Sequence, residues 1–146
     1  MRNVIITALI SFLFFSGAGV SCALDEREAM KRYLADINPV LTKAQVASRN
    51  ISQRLLPLGD GVKQMRDCVE SLSAMNPPKV MLKQHKMILL SFKKLRMGFY
   101  LLLNGDRPRS VVLVKSGAVL LRAAVKDMVE LGKREGLIKE NPETKK

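Results

Sequence analysis

The amino-acid sequence predicts an all-α protein, an antiparallel up-down four-helix bundle that follows an N-terminal signal peptide. Two observations carry the bundle. Apolar residues recur at alternating steps of four and three along most of the chain, and Pro-, Gly- and Asn-containing turns near 58–61, 76–78 and 104–107 are too short to separate neighbouring helices. A third, the absence of any strand-like alternation between the turns, excludes a mixed fold. The helices are expected near 25–56, 60–76, 78–104 and 106–135.

Residues 1–23 read as the signal. Arg2 gives a positive start, Val4 to Phe15 an apolar core, and Ser16 to Ala23 a small-residue run ahead of Asp25 and Glu26. That core is shorter than the roughly 20 residues that span a bilayer, so the expected destination is periplasmic or secreted. Ser21 and Ala23 suit a cut that frees Leu24. The alternative is anchoring: Gly19-Val20-Ser21-Cys22 resembles a bacterial lipobox, in which Cys22 carries the lipid. Leu24 to Lys146 is 123 residues, enough for one domain and too few for two. The bundle is placed at 24–136 and a polar, disordered tail at 137–146.

In the first helix Asp25 and Glu28 form a capping-box pattern, and Met30, Leu34, Ile37, Leu41, Ala44, Ser48, Ile51 and Leu55 keep the four-three rhythm. Pro39 predicts a kink or break near Asn38. Asp60 is the expected cap of the second helix, with Val62, Met65, Val69 and Leu72 on its stripe. Cys68, the only cysteine past the signal, lies beside that stripe and reads as a buried thiol.

Residues 77–132 form a hairpin. Its first arm carries Met81, His85, Ile88, Phe92, Leu95, Phe99 and Leu102 on one face, with Asn76 as cap and Pro77-Pro78 in the first turn. Gly105 suits the left-handed residue that ends this arm, and Asp106 caps the second, whose seam is read as Val111, Val114, Ala118, Leu121, Val125 and Met128.

Charge singles out the same hairpin. The chain has 25 Lys and Arg against 13 Asp and Glu, yet between Lys79 and Lys126 there are 11 basic residues and one acid, Asp106. Lys79, Lys83, Lys86, Lys93 and Lys94 fall on one arc of the first arm, and Lys115, Arg122 and Lys126 on one arc of the second. Such a field draws anionic partners. Met87, Leu90, Met97 and Leu101 lie on or near the basic arc, and Phe99 to Leu103 is apolar all round, which leaves surface for a membrane, an unfolded client or a homodimer contact. The chain has no Trp to stack bases and only Tyr33, Tyr100, Phe92 and Phe99 as aromatics past the signal. Nucleic acid is therefore not the expected partner, and an anionic envelope component, lipid headgroup or acidic polymer, is.

No stretch spells out a reaction. His85 is the sole histidine, zinc takes three or four ligands, and hydrolase elbows, phosphate loops and dinucleotide fingerprints are missing. His85 reads as a packed, hydrogen-bonded seam residue. The expectation is a protein that is not an enzyme and holds no cofactor or metal.

Leu41-Thr42-Lys43-Ala44-Gln45 is similar to the Leu-Thr-x-x-Gln motif of the periplasmic Spy/CpxP family of small exported helical proteins. That resemblance implies ATP-independent chaperone activity. On physical grounds, Thr42 and Gln45 also read as a capping box restarting the helix after Pro39. Pro77-Pro78 followed by His85 resembles arrangements in uncharacterised exported bundle proteins, which imply no function.

Overall fold

The computed structural model describes residues 21–53 and 56–137. Residues 1–20 of the expected signal, Leu55 of the first stripe and residues 138–146 of the expected tail lie outside the described residues. The described chain is all-α: α1 (Ser21–Ser52), α2 (Leu58–Ala74), a 3₁₀ turn (Lys79–Met81), α3 (Leu82–Leu103) and α4 (Arg107–Arg134). No strand occurs among the described residues. The core centres on Ile37 of α1, Met65 and Leu72 of α2, Met81, Ile88 and Phe92 around α3, and Met128 of α4, all fully buried.

The first helix buries Met30, Tyr33, Leu34, Ile37, Leu41, Ala44 and Ala47, close to the expected stripe, with Ala47 taking the place given to Ser48. Two expectations fail here, the capping-box restart after Pro39 and the cap at Asp25. The helix passes through Pro39 without a break, so Thr42 and Gln45 cap no restart, and Asp25 lies inside the helix instead of at its cap. Pro39 is tolerated because it and residue 35, whose carbonyl it leaves unbonded, are both on the exposed face, where water can serve that oxygen. The Glu28 carboxylate accepts a hydrogen bond from Lys31 Nζ at 2.6 Å, which holds its pKa below the usual range.

The second helix starts two residues before the expected cap. Pro57 holds the N-cap position without a side-chain cap, and Asp60 sits in the first turn, where its charge favours the helix dipole. Residues of α1 and α2 meet in antiparallel order: Gly61 lies against the Ile51 side chain, and Lys43 pairs with Asp67 at 3.7 Å.

Pro77 and Pro78 lie outside α3, contrary to expectation, and the 3₁₀ turn separates them from it. Each proline pushes the residue before it out of the α region, so a Pro-Pro pair resists being a first helical turn; Pro78 itself is extended at ψ 153°. The far end behaves as read. Gly105 has φ +82°, its amide donates to the Leu102 carbonyl and the Asp106 amide to the Leu101 carbonyl at 2.9 Å, a Schellman close. Asp106 then caps α4, its side chain accepting from the Arg109 amide.

The same close ends α4. Gly136 has φ +64°, its amide reaches the Lys133 carbonyl, and the Leu137 amide reaches the Gly132 carbonyl at 2.7 Å. Leu137 is 8% exposed and belongs to the core, so the boundary drawn between 136 and 137 moves. An apolar residue just past such a glycine folds back onto the helix, which is why it is not tail.

Candidate functional site: the outer face of the α3–α4 hairpin

How α3 meets α4 decides what the hairpin shows to solvent. The seam of α4 is Ser110, Gly117 and Ala124, spaced seven apart and all buried, continuing into Val125 and Met128. It faces Ser91 and Gly98 of α3, also buried. A Cβ on Gly98 would stand 2.6 Å from a Val114 methyl and 3.2 Å from the Ser110 carbonyl oxygen; one on Gly117 would stand 3.0 Å from the Ser91 carbonyl oxygen. The Ser91 hydroxyl donates to the Gly117 carbonyl at 2.8 Å, satisfying the buried polar atom across the interface. The backbones approach closely because small residues let them.

This corrects the expected α4 seam. Val125 and Met128 are buried as read, but Val111 is exposed, and Val114, Ala118 and Leu121 are only half-buried. Val114 and Leu121 still pack against the core, so the expected stripe runs beside the small-residue seam that meets α3, and Val111 is the member that faces solvent. A heptad of Ser, Gly and Ala was the available signal.

With the small residues turned inward, large ones face out. Val112 is 65% exposed, Val119 63% and Leu90 49%, and Met97, Tyr100, Leu103 and Val111 are also exposed. Leu90 and Lys94 of α3 share an open groove of about 660 Å³ with Val112, Lys115, Ser116, Val119, Leu120 and Ala123 of α4. Sequence reasoning found Leu90 and Met97 but missed Val112 and Val119; Met87 and Leu101, which it also placed near this surface, are half-buried.

The eight expected site residues divide simply. Lys79, Lys83, Lys86, Lys93, Lys115, Arg122 and Lys126 are exposed, and Lys94 is half-buried. The structure brings Lys94 and Lys115 together at the groove. Among the described residues the ion pairs are Lys31–Glu28, Lys43–Asp67, Arg66–Glu70, Arg109–Asp106 and Lys133–Glu130, and they involve none of the eight. An exposed cation with no carboxylate neighbour keeps its whole field for what approaches it.

His85 is 6% exposed and pairs with Tyr33 of α1. In its neutral Nε2–H tautomer the Tyr33 hydroxyl donates to Nδ1 at 3.0 Å, and the rings meet edge to face with centroids 5.9 Å apart. Burial holds the His85 pKa below 6.5 and raises that of the Tyr33 hydroxyl. Cys68 is free and buried, and burial pushes its thiol pKa up, away from the reactive thiolate.

Among the described residues no cluster of three or more His, Cys, Asp or Glu is arranged to hold a metal ion, and no helix is long and apolar enough to cross a membrane. No protein-family model, curated protein sequence or solved structure matches this chain.

Proposed function

We propose that this is a non-enzymatic protein of the cell envelope that docks the outer face of the α3–α4 hairpin on an anionic partner. One observation carries the reading: Lys94 and Lys115 stand beside the exposed aliphatic residues Leu90, Val112 and Val119 at the groove between α3 and α4, and none of the eight basic residues of the hairpin is ion-paired among the described residues. A face that only keeps a bundle soluble mixes both signs of charge and buries its valines. Export rests on the signal-like first 23 residues, with Cys22 as the lipid attachment point in the anchored alternative.

The exposed aliphatics also support a second reading, an ATP-independent chaperone that holds unfolded clients on the same mixed face, as the Leu41–Gln45 resemblance implies. Aggregation assays separate the two. Suppressed aggregation of several unrelated clients, without salt-sensitive binding to anionic matter, selects the chaperone.

The direct test reverses Lys83, Lys86 and Lys93 to Glu. Binding to anionic vesicles or acidic polymers at low salt is expected to collapse while the fold persists, because exposed charges contribute under about 1 kcal/mol each. Undiminished binding by the triple variant removes the proposal.

A further inference from the structure

The hairpin's outer face offers more than charge, and its apolar part selects among anionic partners. Leu90, Val112 and Val119 are exposed beside Lys94 and Lys115 along the open groove between α3 and α4. An acidic polymer or a free phosphate uses the lysines and leaves the aliphatics wet. A second copy of the chain would cover them, but face to face it would set the two lysines of each copy against those of the other, a like-charge juxtaposition that costs several kcal/mol.

An acidic protein partner fits less well than a lipid surface. Protein interfaces anchor on aromatic residues and arginine and exclude lysine from their centres; this groove is lined by Leu, Val, Ala, Ser and Lys. Lysines whose stems lie along apolar surface while their ammonium groups reach outward characterise helices at an anionic bilayer interface, with the aliphatic side chains below the headgroups. Resting on the anionic-partner reading above, we propose that the partner is an anionic phospholipid bilayer, with α3 and α4 lying on its surface and Leu90, Val112 and Val119 inserted beneath the phosphates contacted by Lys94 and Lys115.

The chain has no tryptophan, so one introduced indole reports without background. Val119→Trp on the proposed face and Val46→Trp, at a 49% exposed position on α1, are compared with vesicles of phosphatidylglycerol and phosphatidylcholine at low salt, after circular dichroism confirms each fold. The expected result is a blue shift at position 119, with quenching by brominated acyl chains, and no change at position 46. Leu90→Asp with Val119→Asp is expected to weaken vesicle binding about tenfold with every lysine intact.

Salt-reversible vesicle binding without the shift overturns insertion and leaves the basic-face reading standing. Binding to heparin or polyphosphate but not to vesicles overturns the bilayer and names a polymer. A dimer with the indole shifted before any lipid is added overturns it in favour of a second copy, and capture of an acidic protein alone does so in favour of a protein. If neither vesicles nor polyanions bind, both proposals fall.

Discussion

The two halves of the molecule solve the problem of a helix surface in opposite ways. Between Asp25 and Ala74 eight basic residues face seven acids, ion pairs such as Lys43–Asp67 and Arg66–Glu70 lie across that surface, and among the described residues Val46 is the one large apolar residue exposed. Between Lys79 and Lys126 eleven basic residues meet one acid, and the remaining nine large exposed apolar residues lie between Val80 and Val119. The first half mixes both signs of charge over its exposed positions. The second has small residues where helices meet and large ones where they do not. Its seam, therefore, and not its overall hydrophobicity, exposes the aliphatic face.

Widening that seam is expected to have the largest effect. Gly117→Val places side-chain carbons against the Ser91 backbone and Leu95, which cannot yield as a side-chain tip can, and is expected to cost about 3 kcal/mol in denaturant unfolding. On the other half, the new Cβ of Gly61→Ala meets Ile51 at both Cγ1 and Cδ1, so that side chain must turn, but no backbone atom stands in the way. If both substitutions cost the same, the hairpin is not specially close-packed.

His85→Ala comes next. It removes buried ring volume and orphans the Tyr33 hydroxyl, for an expected loss of about 2 kcal/mol, with binding to anionic vesicles unchanged. The same residue sets a pH dependence. Burial holds His85 neutral in the folded state, so below 6.5 the unfolded chain binds the proton first. Stability contributed by this group is complete above 6.5 and is lost as the pH falls below it. Urea titrations across that window are expected to show the decline in the parent chain and to lack this component in His85→Ala.

A smaller loss, about 1 kcal/mol, is expected for Asp106→Ala, which removes the side-chain cap on the Arg109 amide and tests whether the hairpin turn is independently tight. The smallest net effect, a loss of up to about 1 kcal/mol, belongs to Gly61→Ala, where alanine's better helix propensity offsets part of the cost of turning the Ile51 side chain aside. Thermal unfolding resolves both.

Much of the fold was legible because it follows from local rules. The stripe expected from Met81 to Leu102 is buried as far as Phe99, with Leu102 half-buried at its end, and Gly105 and Asp106 act as turn and cap. The errors have more than one cause: Pro77 and Pro78 stay outside α3 through their own local geometry, whereas elsewhere a residue's surroundings outvote its local signal. Pro39 sits on a face where water can serve the carbonyl it frees, so α1 does not break there. Leu137 looks like the start of a tail until the Gly136 turn folds it back. Ser110, Gly117 and Ala124 do not register in a count of large apolar residues, so the part of the seam that meets α3 was missed and the outward valines went unrecognised. The basic half of the candidate surface was visible from charge alone, and the apolar half required the true seam.

The Ser91–Gly117 contact has a bearing on how the protein withstands changes of medium. Contacts made by large aliphatic side chains, as between α1 and α2, draw their strength from exclusion of water and fade in detergent or organic cosolvent. Close backbone approach and an interhelical hydroxyl–carbonyl bond keep theirs when water is absent, as small-residue interfaces do inside bilayers. Mild detergent should therefore dismantle the molecule in order, peeling α1 and α2 away first and leaving α3 and α4 paired.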